Sequence, residues 1–208
     1  AVMSAETVVI DSGGANPSSV LFALDRLSAQ AKVTTDPDEV RNAKRVILPG
    51  VGAAADVMKR LRSAGLTEVL PTLKQPVFGI CVGMQVLFER GIERGEDTEG
   101  LGEWPGLIDE LDAPVLPHMG WNTVDAPSDS VLFESIADQR FYFVHSNAAR
   151  SWELDPIGAG AHPQGTWARH GDRSVAAAYN GPLSATQFHP EKSGAPGIRL
   201  LGNWLRSL

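Results

Sequence analysis

Cys81 sits in Gly79-Ile80-Cys81-Val82-Gly83, a G-x-C-x-G run and the only thiol of the chain. The run is the cysteine counterpart of the G-x-S-x-G turn. There the nucleophile occupies a sharp, strained bend between a strand and a helix, and small flanking residues let the two elements approach closely. The thiol of such a turn projects at a helix N-terminus, whose partial positive charge favours thiolate over thiol. A lone cysteine is otherwise commonly a buried structural residue. The apolar run before Cys81 and the helix-like segment after it favour the nucleophile.

A thiolate nucleophile needs a partner that holds and returns its proton. Gln187-Phe188-His189-Pro190-Glu191 offers one, after a strand-like stretch, Ser184-Ala185-Thr186. In extended chain, residues i and i+2 point the same way. Glu191 is then placed to orient the His189 imidazole, the third-member role of a catalytic triad. His145 is a competing base, because it follows the aromatic strand Phe141-Tyr142-Phe143-Val144 and is able to line the same cleft. His118, His162 and His170 lie among Pro, Gly and charged residues and read as loop positions. No HExxH or comparable spacing joins the histidines, and a single cysteine makes neither an internal disulfide nor a thiolate zinc site. No metal and no cofactor are expected.

These groups require a scaffold that brings distant turns together. Thr7-Val8-Val9-Ile10, residues 31–35, Arg45-Val46-Ile47-Leu48 and Pro76-Val77-Phe78-Gly79-Ile80 read as buried strands. Asp11-Ser12-Gly13-Gly14 ends the first, and Pro49-Gly50 is expected to stop the third. Between them, residues 18–27, 53–64 and 84–90 carry helical spacing, with Gly65 at a helix C-terminal end. Buried runs alternating with helices indicate a mostly parallel sheet covered on both faces, an α/β class. Beyond Gly100 the segments are short, rich in Pro and Gly and mixed with aromatics, which predicts hairpins and a mixed, antiparallel edge. A closing helix is expected over residues 196–205. Ligand sites in open sheets of this class lie at the carboxyl ends of the strands, here the turns after Ile10, Leu48 and Ile80.

With 208 residues and no evident linker or repeat, residues 1–208 are read as one domain. The formal net charge of -7 and the absence of a basic cluster argue against nucleic-acid binding. Lys59, Arg60 and Arg62 look like the solvated side of a helix. The stretch Ala1 to Val9 lacks the pattern of a signal peptide, and no apolar run is long enough to cross a bilayer, so the expected location is the cytoplasm.

Read together, the motifs make the chain resemble the class I glutamine amidotransferases, nearly end to end. Those carrying the resemblance are Pro49-Gly50-Val51-Gly52, Gly79-Ile80-Cys81-Val82-Gly83-Met84-Gln85, Pro117-His118-Met119-Gly120-Trp121-Asn122, Phe143-Val144-His145-Ser146 and Gln187-Phe188-His189-Pro190-Glu191-Lys192-Ser193-Gly194. G-x-C-x-G-x-Q with a distant H-P-E is common to the class. P-G-V-G, P-H-M-G-W-N and the K-S-G after H-P-E favour the glutaminase subunits of imidazole glycerol phosphate synthases. The resemblance implies a flavodoxin-like single-domain fold with a central, mostly parallel sheet. It implies attack by Cys81 on the side-chain amide of L-glutamine, proton transfer by His189, orientation of His189 by Glu191, and an oxyanion hole from the backbone N–H groups of Val82 and Val51. The loop carrying Val51 would reorient to present its N–H, and glycines make such a flip feasible. Gly50, Gly52, Gln85, His145 and Ser146 would surround the glutamine. The implied partner is a separate (β/α)₈ cyclase subunit in a heterodimer. It would receive the ammonia, and a barrel of about 250 residues has no room in this chain. Asn16, Trp121, Tyr142 and Lys192 would lie near the docking face. Two positions depart from the family pattern: Asn147, where tyrosine is frequent, and Pro17, where an aliphatic residue is usual. An amidotransferase serving another synthase, or a stand-alone cysteine hydrolase of related fold, remains an alternative.

Overall fold

A computed structural model describes residues 6–152 and 163–208. His162 and most of the N-terminal stretch lie outside the described residues. The first half alternates strands and helices: β1 (Thr7–Ile10), α1 (Ser18–Arg26), β2 (Ala31–Thr34), α2 (Pro37–Asn42), β3 (Arg45–Gly50), α3 (Ala54–Ser63), β4 (Val77–Cys81) and α4 (Val82–Gln85). The second half is dominated by strands: β5 (Phe88–Glu93), β6 (Glu96–Glu99), β7 (Trp104–Glu110), β8 (His118–Thr123), β9 (Arg140–His145), β10 (Asn147–Ala149), β11 (Gln164–His170), β12 (Asp172–Asn180) and β13 (Leu183–Thr186). A 3-10 turn, Pro190–Lys192, and α5 (Gly194–Arg206) close the chain.

Seven strands form the main sheet in the order β11-β12-β13-β4-β3-β1-β2. From β2 to β13 every pairing is parallel; β12 and β11 add an antiparallel edge. The parallel part therefore runs β2-β1-β3-β4-β13, the flavodoxin-like order. Every residue of β1, β4 and β13 is buried, as expected of strands covered on both faces. α5 packs its Trp204 edge-on against Phe78 of β4, with ring centroids 5.2 Å apart. Four strands, β10-β7-β5-β6, make a second sheet, and β8 pairs with β9 alone.

Two expectations need correction, and one element goes unmarked by the apolar spacing. β3 does not stop at Leu48: Pro49 pairs with Ile80 and Gly50 with Cys81. β1 pairs with β3 only as far as Ile47, so Pro49 has a strand neighbour on one side only, where a missing N–H is tolerated. The helix expected over residues 84–90 is a single turn ending at Gln85, and the chain becomes strand from Phe88. Phe88 is fully buried edge-on against Trp104, at 5.5 Å, and β5 pairs with both β6 and β7. Those long-range pairings outweigh a local pattern that reads equally well as helix. Finally, α2 was not expected, although its start is written in Asp36-Pro37-Asp38: the Asp36 carboxylate accepts from the Asp38 N–H at 2.8 Å, and Pro37 opens the helix.

Candidate active site

Cys81 ends β4 with φ 55° and ψ −113°, a left-handed conformation that costs a non-glycine residue about 1–3 kcal/mol. The surroundings enforce it. A Cβ on Gly83 would lie 1.8 Å from the carbonyl oxygen of Leu48, and one on Gly79 would lie 2.8 Å from that of Gly83. The first turn of α4 is thus pressed against β3, and only glycine permits the bend that turns Cys81 away from the strand. Gly50 is a packing glycine of the same kind, 2.7 Å from the Gly83 nitrogen by its would-be Cβ. With only four residues, α4 offers little helix dipole to the thiol; the neighbouring side chains have to supply its electrostatic partners.

His189 and Glu191 meet, although not along extended chain. His189 leads into the 3-10 turn, which folds Glu191 back so that Nδ1–H of His189 donates to Glu191 Oε1 at 2.6 Å. Only the carboxylate can accept, so the tautomer is fixed and Nε2 is left for chemistry. Nε2 is buried without a hydrogen-bond partner among the described residues, and His189 and Cys81 line one cavity. Burial opposes protonation of His189, but the Cys81 sulfur and the Glu191 carboxylate outweigh it, and its pKa is pushed up to about 9. The segment is held firmly. The His189 N–H donates to the Tyr142 carbonyl at 3.0 Å, Ser193 Oγ donates to the His189 carbonyl at 2.6 Å, and the Tyr142 N–H donates to Ser193 Oγ at 2.9 Å. Phe188, fully buried, packs on Phe141 and Phe143 with centroids 4.5 and 5.4 Å away. Burial of such rings contributes roughly 1.5–3 kcal/mol apiece.

His145 is not the competing base. Its Nδ1–H donates to the Asn147 carbonyl at 2.9 Å, so its Nε2 must accept, and it does so from His118 Nδ1 at 3.2 Å. His118 Nε2 in turn accepts from Asn122 Nδ2 at 3.3 Å. Both lone pairs are occupied. Burial, reinforced by neighbouring imidazoles, pushes His145 and His118 down to about 4, so both are neutral near pH 7. His118 and His170 are therefore not bare loop positions. His118 is buried in β8 between Phe143 and His170, stacked on each at 4.6 and 4.2 Å, and the last residue of β11 is His170 itself.

A cavity of about 400 Å³ gathers most of the expected residues, a size suited to a small ligand. Val51 and Gly52 come from the turn after β3, Cys81, Val82 and Gln85 from the turn between β4 and α4, and His145 and Ser146 from the end of β9. Gly50 lies behind it, buried in β3. Gln85 Nε2 donates to the Asn147 carbonyl at 3.0 Å and to Gln187 Oε1 at 3.1 Å. Asn147 acts here through its backbone carbonyl, so these two contacts do not depend on the side chain at the departing position. Pro17 fits at the start of α1, where its missing N–H is not needed and its carbonyl accepts from the Leu21 N–H at 3.0 Å. The lining also includes Glu93 and Arg94, charged residues that no motif marks. They sit at the two-residue turn between β5 and β6, where Arg94 and Gly95 both have positive φ. The Arg94-Gly95 dipeptide was the available signal, hidden by the helical reading of the preceding residues. The expected docking residues Asn16, Trp121 and Lys192 are exposed, and Trp121 stacks edge-on with half-buried Tyr142 at 5.8 Å. Among the described residues, no cluster of three or more His, Cys, Asp or Glu is arranged to hold a metal, and no helix is long and apolar enough to cross a membrane.

The model of the class-I glutamine amidotransferase family matches residues 8–207. The chain belongs to that family. Among curated relatives of this amidotransferase, the imidazole glycerol phosphate synthase subunit HisH of Leifsonia xyli is 53% identical over 209 residues, covering 99% of this chain and 100% of the relative. HisH of Nocardia farcinica is 55% identical over 204 residues, covering 96% and 97%. A solved glutamine amidotransferase superposes with a TM-score of 0.72 at 20% identity, over 97% of each chain. A glutamine amidotransferase from Thermotoga maritima gives 0.55 at 18% identity, over 99% of this chain and 82% of that one. At that identity the two structures speak for the fold alone.

Proposed function

We propose that this amidotransferase is the glutaminase subunit of imidazole glycerol phosphate synthase. It hydrolyses glutamine and passes the ammonia to a separate cyclase subunit in histidine biosynthesis. Relatives of that name, about half identical over nearly the whole chain, support the assignment. The observation that carries the chemistry is a His189 paired with the buried Glu191 side chain and lining one cavity with a strained cysteine.

In this reading the Cys81 thiolate attacks Cδ of the glutamine side chain, and the carbonyl becomes an oxyanion. The N–H of Val82, next in the chain, is one donor; the N–H of Val51 is the second, once the Gly50-Val51-Gly52 loop presents it. Gly52 already has φ 79°, with nothing within 4 Å of a would-be Cβ, so that loop has room to reorient. The imidazolium of His189 gives its Nε2 proton to the departing ammonia, leaving a γ-glutamyl thioester. Neutral His189 then takes a proton from water, which attacks the thioester and releases glutamate, and Cys81 returns as thiolate. The α-ammonium and α-carboxylate of glutamine require opposite charges nearby; Glu93 and Arg94 supply them at the cavity. Gln85, His145 and Ser146 complete the surroundings. The partner forms a heterodimer with this chain through Trp121, Tyr142, Asn16 and Lys192. The same reading places the complex in the cytoplasm.

The test is glutamate release from glutamine with the cyclase and its nucleotide ligand. Cys81→Ala should abolish release, and the native chain should be stimulated strongly by the cyclase. Release that survives the substitution removes the thioester route. Release indifferent to the cyclase removes the pathway while leaving the amide chemistry.

A further inference from the structure

Gln187 has so far had no function. It follows β13, is fully buried, and fixes its backbone by donating its N–H to the Ala176 carbonyl at 2.8 Å. Its side chain reaches the nucleophile: Nε2 lies 3.7 Å from Cys81 Sγ, within the range of a hydrogen bond to sulfur. The orientation of that amide is not arbitrary. The Asn147 carbonyl can only accept, so the end of Gln85 facing it is the NH₂ group. The same NH₂ group faces Gln187, whose nearer atom must then be the oxygen, at 3.1 Å. The remaining end of Gln187, an NH₂ group, is left pointing at the sulfur. A backbone carbonyl thus sets the sense of a two-amide chain that ends with a donor on Cys81.

A second contact of the sulfur, besides the His189 ring whose charge it favours, is the Val144 carbonyl, at 3.9 Å. The two contacts respond oppositely to ionisation. A thiol can give its proton weakly to the carbonyl, whereas a thiolate is repelled by it and accepts the Gln187 N–H as a charge-assisted bond. We propose that Gln187 is a positioning residue for the nucleophile: its amide, locked by Gln85 and the Asn147 carbonyl, holds the Cys81 sulfur as thiolate in line for attack. This rests on the reading of Cys81 as the nucleophile. It gives Gln85 a second task besides meeting glutamine, because removing Gln85 frees the Gln187 amide to rotate.

The chain has one cysteine, so alkylation by iodoacetamide reports on Cys81 alone and needs no glutamine. The rate is measured against pH for the native chain and for Gln187→Met, which keeps length and burial but cannot donate. The midpoint of the profile should move to higher pH in the variant, with alkylation near pH 7 slower by roughly tenfold, the effect of losing one hydrogen bond to a charged group. In complex with the cyclase, kcat for glutamate release should fall while KM for glutamine stays within about twofold, as for a residue that acts on the nucleophile and not on ground-state binding. Gln187→Glu, which brings a carboxylate to the sulfur, should move the midpoint further in the same direction. An unmoved midpoint in a folded Gln187→Met protein overturns the proposal, even if the variant melts earlier, because a merely structural amide would alter stability alone. Should neither variant fold, the native protein with ¹⁵N-labelled glutamine side chains decides. One side-chain amide should titrate with the midpoint of Cys81 alkylation; if none does, the proposal fails. Glutamate release that persists in Cys81→Ala would overturn this proposal together with the reading beneath it. An inactive Cys81→Ala with an unmoved Gln187→Met profile removes only the role of Gln187.

Discussion

Glu191 is worth most through the tautomer it imposes. Its Oε1 takes the Nδ1 proton of His189 at 2.6 Å, so the other nitrogen is the one that faces the chemistry. It also adds to the interactions that raise His189 to about 9 against the cost of burial. The sign of its removal follows. Glu191→Gln eliminates a negative charge beside the imidazolium, so the His189 pKa falls, and activity that depends on the protonated ring is lost at lower pH. In the native enzyme, kcat/KM for glutamate release should decline as pH rises through about 9. In Glu191→Gln the alkaline limb should move downward, and kcat near pH 7 should drop by roughly 10²–10⁴-fold, as expected when the orienting carboxylate of a triad is lost. A pH–rate series on both proteins checks this; an unmoved alkaline limb would separate Glu191 from the proton inventory. At this scale much was legible, because the chemistry is local in the sequence. G-x-C-x-G states its own geometry, and His189 and Glu191 are two residues apart. That Gln187 would lie against Cys81 and Glu93 at the cavity was not legible. Their relation to Cys81 and the cavity comes from pairing between β13 and β4 and between β5 and β6, which no local pattern encodes.

The turn at Cys81 and the loop after β3 use glycine for opposite reasons, and substitution should tell them apart. Gly83 is packed so closely that an added methyl would sit 1.8 Å from the Leu48 carbonyl oxygen. No flexible side chain is there to move aside, so Gly83→Ala must separate α4 from β3 or fail to fold, and a loss of about 3 kcal/mol or more is expected. Gly52 has φ 79° and open space around it. Gly52→Ala should cost only about 1 kcal/mol, the penalty of a left-handed alanine. Its effect should fall on glutamate release if the loop must reorient to offer the Val51 N–H. Chemical denaturation of both variants, alongside their kinetics, distinguishes packing from motion; equal stability losses would refute the distinction. The contrast between β4 and β5 shows why the parallel strands were legible and the second sheet was not. Val77–Cys81 is apolar and buried along its whole length, a signature of a doubly covered strand. Phe88–Glu93 buries only its first residue, and its run of charge mimics the outer face of a helix. Its identity as a strand is settled by partners at Glu96–Glu99 and Trp104–Glu110.

On the scale of the whole molecule, one antiparallel strand pair joins the outside to the segment that carries His189. β8 and β9 bury one face, where His118 stacks on Phe143, and expose the other, where Met119 and Trp121 stand 63% and 52% exposed and Trp121 leans on Tyr142. Large apolar side chains grouped on one exposed face of a monomer mark an interaction surface better than scattered ones do. The same Tyr142 accepts the His189 N–H and donates to Ser193, so the surface strand and the turn that holds His189 share a backbone connection. Lys192, exposed in the Pro190–Lys192 turn, extends that surface toward α1, which packs on the turn. A tryptophan with half its area in water contributes little to the isolated fold beyond its ring contact, about 0.5–1.5 kcal/mol. If it anchors the cyclase, it should contribute far more to the complex. Trp121→Ala should therefore leave unstimulated glutamate release almost unchanged and lower stability only slightly, while raising the Kd for the cyclase by roughly tenfold or more. Lys192→Ala, a charge at the edge of the same face, should chiefly reduce the salt dependence of association. Titration calorimetry with the cyclase, and the cyclase concentration needed for half-maximal stimulation, measure both effects. An unchanged Kd for Trp121→Ala would move the docking face elsewhere and break the proposed line from partner, through Tyr142, to His189.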